Sequence, residues 1–273
     1  MGKFRFQVRW HFAFFGIVLI SIQGCAPNRN SVSHVSVING APISGTEFQS
    51  VVKILRYEEN GERTICTGTF IDSFKVLTAA HCLGSATEPI LDVEWSVDDS
   101  TTVQKQAKVI AVHPQFRNEG KRIHPNDLAI LSIDSYGEPF PSPILLSTET
   151  LAIDSQVTMI GFGNNKEILQ NSSITGTGAG TKRIGKNKVY TLTRSGLIIV
   201  SGNSDGCGLT ESNSATGDGD SGGPLLINNQ IIGITLGGGI IPAQSEDKCS
   251  KAISYFANLR SELNSAFITE NLD

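Results

Sequence analysis

The chain has 273 residues, 39% of them hydrophobic and 18% charged, with 28 glycines, 10 prolines and a net charge of −4. Disordered and fibrous classes are excluded by that composition, and the length suits one large β domain or two small halves sharing a cleft. Lysines and arginines are scattered rather than gathered into a stripe, so nothing points to a nucleic-acid partner.

At the N-terminus, Lys3, Arg5 and Arg9 precede an uncharged, mostly apolar run from Trp10 to Ile22. Such a run falls short of the roughly 20 residues of a membrane-spanning helix, so it reads as a secretory signal rather than a permanent anchor. Its end, Ile22-Gln23-Gly24-Cys25, resembles a bacterial lipoprotein signal in which Cys25 is acylated and becomes the first mature residue. Gln23 departs from the small residue usual there, and simple cleavage near Gly24 is the alternative. Residues 1–25 are accordingly the signal, and the protein is expected outside the cytoplasm, held to a membrane through Cys25 or secreted. With Cys25 lipidated, Cys66, Cys82, Cys207 and Cys249 remain, an even number that predicts two disulfides in an oxidising compartment. Zinc is the competing use of four cysteines, but no Cys-x-x-Cys or His-x-x-x-His spacing supports it, and no metal or other cofactor is expected.

From Ser31 to Gly45 the chain is small, polar and punctuated by Gly and Pro, as a leader running into a first strand would be. Short strand-like runs follow at 51–55, 76–78, 108–112, 128–131, 157–160, 196–200 and 230–234, separated by turn residues, which predicts a barrel or sandwich. The proline-rich stretch 138–143 suits a crossing between two halves. Phe256, Leu259, Leu263 and Phe267 recur at spacings of three and four without Gly or Pro, which predicts an amphipathic terminal helix packed on the β body.

A serine hydroxyl is nearly un-ionised at neutral pH, so a nucleophilic serine needs an adjacent base, an acid orienting that base, and donors for the oxyanion. Ser221 lies in Gly219-Asp220-Ser221-Gly222-Gly223-Pro224, where glycines let amides approach a substrate carbonyl without Cβ obstruction. Of five histidines, His11 lies in the signal, His34 in the leader, and His113 and His124 each precede proline. His81 is left, in Leu77-Thr78-Ala79-Ala80-His81-Cys82, although a single histidine is as readily a hydrogen-bonded structural ring. An acidic loop with Glu88, Asp92, Glu94, Asp98 and Asp99 suits a solvated face better than a calcium site.

Thr78-Ala79-Ala80-His81-Cys82, Asn126-Asp127-Leu128-Ala129-Ile130-Leu131 and Gly219-Asp220-Ser221-Gly222-Gly223-Pro224 occur in the order and rough spacing of trypsin/chymotrypsin-like serine proteases. The resemblance runs from about Val37 to the terminal helix. It implies an all-β fold of two six-stranded antiparallel β-barrels, 37–145 and 146–273, with the active site in the cleft between them and a C-terminal helix. It implies a monomeric serine endopeptidase acting on polypeptides through an acyl-enzyme, with His81 as base, Asp127 as its orienting acid, Ser221 as nucleophile, and the amides of Gly219 and Ser221 as oxyanion hole.

Further expectations come with the likeness. Cys66 and Cys82 match the family disulfide beside the catalytic histidine, and Cys207 is expected to bridge Cys249 although the usual position four residues before the serine is Gly217. Residues 26–36 become a propeptide, and Val37-Ile38-Asn39-Gly40 resembles the new N-terminus whose ammonium pairs with the aspartate before the nucleophile, here Asp220. The scissile bond is Ser36–Val37, unsuited to tryptic activation, so another protease is required. Ala215 falls on the pocket floor, with Leu236, Gly238 and Ala252 at its walls, which implies an uncharged, apolar P1 residue. Leu236 stands where the family commonly has a serine supporting the catalytic aspartate, a contact that Thr235 could replace if the register shifts by one. The alternatives are a catalytically impaired protease-like binding protein and an esterase; for the esterase, the Gly-x-Ser-x-Gly pattern is satisfied while the triad order and the lack of alternating helices disagree.

Overall fold

The computed structural model describes residues 37–118, 123–135, 137, 139–170, 173–203, 213–241 and 251–272. The signal, the leader, Cys25, Cys207 and Cys249 lie outside the described residues.

After β1 (Ala41–Pro42), six strands form the first barrel: β2 (Val51–Tyr57), β3 (Arg63–Phe70), β4 (Lys75–Thr78), β5 (Ile90–Ser96), β6 (Thr102–Val112) and β7 (Ala129–Ile133). They close antiparallel in the order β2-β3-β4-β7-β6-β5. The chain crosses through residues 139–155 to β8 (Gln156–Gly161) and a hairpin of β9 (Lys166–Gln170) and β10 (Ser173–Thr177). Then come β11 (Arg183–Leu192), β12 (Leu197–Asn203), β13 (Pro224–Ile227), β14 (Gln230–Ile241) and β15 (Lys251–Asn258). β8 pairs with both β11 and β13, so β11-β12-β15-β14-β13-β8 closes a second six-stranded antiparallel barrel, with β1 added to β11.

Side-chain alternation along the strands decides what each barrel buries. In β7, Ala129, Leu131 and Ile133 join Val76, Phe70 and Trp95 inside the first barrel. Their neighbours Leu128 and Ile130 face the other way, into a cluster with Leu77, Ile160, Phe162, Leu226, Ile234 and Leu236 that joins the two barrels. A third cluster, with Met159, Val189, Ile198, Leu225 and Phe256, fills the second barrel. Burying one such aliphatic side chain contributes about 1.5–3 kcal/mol.

The terminal helix, α1, spans Glu262–Leu272, later than the apolar spacing predicts. Phe256 belongs to β15, opposite Ile198 and Thr235, and Leu263 is 47% exposed. The discrepancy has a physical origin: β15 is covered on both faces, Phe256 pointing into the second barrel and Ala257 into the joint between barrels. Burial alternates from Lys251 to Phe256, and the alternation breaks only at the strand's end, where Phe256 and Ala257 are both buried; the apolar spacing then runs from the strand through Leu259 into the helix without a break. The helix buries Phe267 as expected, together with Asn264 and Ile268.

His113, buried at the end of β6, helps seat this helix. Its Nδ1 accepts from Gln115 N–H at 3.2 Å, its Nε2 faces Leu263 O at 3.3 Å, and its ring lies 4.9 Å from that of Phe267. Burial lowers its pKa below the ordinary 6.5, against a raising effect from Leu263 O. The folded protein therefore binds this proton less readily than the unfolded chain, and stability is lost as pH falls below the unfolded value. Thermal unfolding should show Tm decreasing from pH 7 to 5, with a shallower decrease in His113→Gln.

Candidate active site

β4 ends at Thr78, Ala79 is extended, and residues 80–83 form one 3-10 turn that carries His81. Ala79 and Ala80 are buried, and their small side chains let the turn lie close to its neighbours. A disulfide from Cys66 in β3 to Cys82 holds the turn from one side. From another, Arg56 Nη1 donates to the carbonyl of Cys82 at 3.0 Å.

Asp127 sits in the loop before β7 with its side chain 7% exposed, while that of His81 is 34% exposed. Asp127 Oδ1 accepts from the His81 main-chain N–H at 2.9 Å and Oδ2 meets His81 Nδ1 at 2.6 Å. An ionised carboxylate only accepts, so Nδ1 must carry the proton and Nε2 keeps its lone pair. Among the described residues no hydroxyl joins these contacts. Thr235 N–H donates to Gly223 O and its carbonyl accepts from Gly222 N–H, which fixes the register and leaves Leu236 in the apolar joint between the barrels.

The Asp127 loop is held from the other end of the chain. Asn264 of α1, fully buried, accepts from Asn126 Nδ2 at 2.8 Å and donates to the carbonyls of Pro125 at 3.0 Å and Asn258 at 2.9 Å.

The Ser221 turn is set by its carbonyls. Asp218 O accepts from Asn164 N–H at 2.7 Å, Gly219 O from Thr67 Oγ1 at 2.8 Å, Asp220 O from Gly223 N–H at 2.8 Å, and Ser221 O from Thr67 N–H at 2.8 Å. In a trans peptide the N–H points opposite the preceding carbonyl. The Asp218 and Asp220 carbonyls thereby fix the N–H directions of Gly219 and Ser221, and among the described residues neither of these N–H groups has an acceptor. Gly219 has φ +102° and Gly222 φ +81°, values suited to glycine. A Cβ on Gly222 would run into Thr78 Oγ1 and the Thr67 carbonyl, so the turn lies directly against the first barrel beside the His81 segment.

Asp220 is 1% exposed. Its Oδ1 accepts from Gly163 N–H at 2.7 Å and its Oδ2 from Gly217 N–H at 2.9 Å. A Cβ at Gly161 would fall on Asp220 Oδ1, and Arg183 is the direct cross-strand partner of Gly161, so its side chain projects toward the same side. Burial lowers the Arg183 pKa while Asp220 raises it. Val37 is fully buried in the second-barrel core, and Ile38 pairs with Ala215, whose N–H donates to Ile38 O at 2.9 Å.

Of the four expected pocket residues, Ala215 and Ala252 pack together with Ile38. Gly238 adjoins Thr216, since a Cβ there would lie 3.4 Å from Thr216 O. Leu236 goes instead to the core between barrels. Thr216 Oγ1 is buried without a hydrogen-bond partner among the described residues. The expected acidic loop is in part a strand: Asp92 and Glu94 lie in β5, where Asp92 accepts from Tyr57 and Gln104 and Glu94 pairs with Lys53, while beyond it Asp98 binds Ser100 and Thr101 and Asp99 accepts from Ser44. Hydrogen bonds from Ser100 and Thr101 hold the Asp98 pKa down at about 2.

Thr67, Asn264 and Arg183 were not singled out by sequence reasoning. Thr67 carries one local signal, its place directly after Cys66.

Comparison with known proteins gives the family and the fold. The family profile described as Trypsin matches residues 37–259. Serine protease SP24D of Anopheles gambiae is 28% identical over 207 residues, 72% of this chain and 70% of its own. A trypsin of Saccharopolyspora erythraea is 28% identical over 183 residues, 63% of this chain and 75% of its own. Among solved structures, neuropsin, a serine protease of mouse brain, superposes with a TM-score of 0.60 at 19% identity, over 86% of this chain and 99% of that one, which establishes the fold.

Asn264→Ala should leave Asn126 Nδ2 and the carbonyls of Pro125 and Asn258 without their buried partner. Each such orphan costs about 1–3 kcal/mol. Chemical denaturation should show a loss of at least ~2 kcal/mol, and peptidase activity should fall with it because the loop that carries Asp127 loses its tether.

Proposed function

The chain belongs to the trypsin family and is a serine endopeptidase, and on that basis we propose that it cleaves polypeptides through an acyl-enzyme formed on Ser221. The reading is carried by one juxtaposition: a His81–Asp127 couple from one barrel beside a turn from the other whose Gly219 and Ser221 amides have no acceptor among the described residues.

His81 Nε2 takes the Ser221 Oγ proton as Oγ bonds to the scissile carbonyl carbon. The carbonyl oxygen becomes anionic and is held by the N–H groups of Gly219 and Ser221. Collapse breaks the C–N bond, and the imidazolium returns its proton to the departing amine. Water then attacks the ester by the same route, with His81 again taking a proton and Ser221 regaining it. Asp127 remains a carboxylate throughout, fixing the tautomer and stabilising the imidazolium.

Substrate backbone adds to the Thr235–Gly238 edge, and the P1 side chain enters toward Ala215 and Ala252. A floor of alanine offers no charge to Lys or Arg, so P1 is uncharged and apolar; the Thr216 hydroxyl, buried without a partner among the described residues, supplies a polar contact nearby. The protein is exported, lipidated on Cys25, bridged between Cys207 and Cys249, and monomeric. Cleavage at Ser36–Val37 by another protease frees the Val37 ammonium to pair with Asp220, and it also separates the catalytic domain from its lipid.

A fluorophosphonate probe should label the protein, and Ser221→Ala should abolish labelling and lower kcat/KM by at least ~10⁴-fold. A panel of peptides varied at P1 should be cleaved fastest after apolar residues; fastest cleavage after Lys or Arg would overturn the pocket assignment. The chain beginning at Val37 should be active, and N-acetylation of Val37 should reduce kcat; equal activity with and without the acetyl group would remove Val37 from activation.

A further inference from the structure

We infer that the Thr67 hydroxyl is a positioning element for the oxyanion turn, holding, from across the joint between the barrels, the Gly219–Asp220 peptide that lies between the Gly219 and Ser221 amides. The inference rests on the reaction proposed above.

Thr67 is fully buried in β3, and each of its polar atoms is engaged. Its N–H donates to Ser221 O at 2.8 Å and its carbonyl accepts from Thr78 Oγ1 at 2.8 Å. Its hydroxyl lies 2.8 Å from Gly219 O and 3.1 Å from Phe162 N. An amide N–H can only donate, so Phe162 takes a lone pair of Oγ1 and the hydroxyl proton is left to Gly219 O. One side chain therefore ties the first barrel to both the end of β8 and the nucleophile turn.

The tie falls where the turn is softest. Gly219 has φ +102° and no side chain to restrict it, and a Cβ there would lie 2.9 Å from Gly163 Cα. The Gly219 N–H lies in the preceding peptide plane, so the following plane acts on it through the Gly219 Cα that both share: a rotation left unchecked at the Gly219 carbonyl displaces that Cα and with it the N–H. Asn164 holds the preceding plane at Asp218 O, and the Thr67 hydroxyl holds the following one at Gly219 O. The Thr67 main-chain N–H fixes Ser221 whatever the side chain is, so a loss confined to the hydroxyl tests the tie from Phe162 to Gly219 apart from the Ser221 contact.

Three variants separate this role from packing. Thr67→Val keeps the shape and removes the hydroxyl, Thr67→Ser keeps the hydroxyl and removes a methyl, and Thr69→Val removes a buried hydroxyl that has no hydrogen-bond partner among the described residues. Rates are measured per active site titrated with the fluorophosphonate, so that only folded, reactive enzyme is counted. A displaced oxyanion donor costs roughly 10- to 100-fold, short of its complete removal. We expect kcat of Thr67→Val to fall by about that factor with KM within about threefold, Thr67→Ser to recover most of it, and Thr69→Val to match the parent. A peptide aldehyde, whose adduct places its oxygen in the same hole, should weaken in parallel with kcat. If Thr67→Val does not fold, Thr67→Ala carries the same expectation. Unchanged kcat, a loss seen only in KM, or a Thr67→Ser variant as impaired as Thr67→Val would each overturn the inference. A parent enzyme that neither labels nor cleaves would instead overturn the proposed reaction.

Discussion

His81 and Ser221 belong to two barrels that close separately, so no ladder of strand hydrogen bonds passes between the parts that must meet. What joins them is an apolar cluster running from Leu77, Leu128 and Ile130 on one side to Ile160, Leu226, Ile234 and Leu236 on the other. Apolar burial is strong but non-directional. It holds two surfaces together without specifying their offset to a fraction of an ångström, and a misplacement of about 1 Å at a reacting centre can cost ~100-fold in rate. The offset is specified by a few polar ties across the joint. Thr67 reaches Ser221, Gly219 and Phe162, and Asn264 reaches Asn126, the neighbour of Asp127.

Leu236 fits the same division of labour. A serine there would give the aspartate another donor; a leucine adds apolar area to the joint and leaves both Asp127 oxygens to His81. Orientation of the acid then depends on the His81 turn and on the Asn126–Asn264 tether. The turn is itself braced by the Cys66–Cys82 disulfide and by Arg56. Cys66 immediately precedes Thr67, so a single stretch of β3 secures the His81 turn with one residue and the Ser221 turn with the next.

Much of this was legible in the sequence where the demand is local. A turn that needs positive φ and close backbone approach must be glycine, so Ser221 stands out by its neighbours; a histidine on a tightly packed turn follows small residues, as His81 follows Ala79 and Ala80. The β character was legible in the short, turn-bounded runs. The polar ties were not, because their partners lie far away: Thr67 and Gly219 are 152 positions apart, and Asn126 and Asn264 are 138 apart. A buried asparagine in a helix looks like a surface residue until its three partners are known. The helix boundary is misplaced because Phe256 and Ala257, adjacent at the end of β15, are both buried, on opposite faces, and the apolar spacing continues through Leu259 into the helix.

Asp220 shows how one buried charge constrains residues that never touch a substrate. A carboxylate 1% exposed to solvent is costly to keep ionised unless donors surround it. Gly163 and Gly217 supply amide protons, and Arg183, projecting from the strand opposite Gly161, supplies positive charge on the same side. Space is as important as charge. A Cβ at Gly161 would coincide with the carboxylate, and one at Gly163 would come within 2.6 Å of its carbon, so the end of β8 must read Gly-x-Gly for the acid to be buried at all. Those glycines flank Phe162, whose amide engages the Thr67 hydroxyl. Burial of the acid and the placing of the Ser221 turn thus meet in the same three residues: Gly161 and Gly163 make room for the carboxylate, and Phe162 between them is one end of the tie that reaches Gly219.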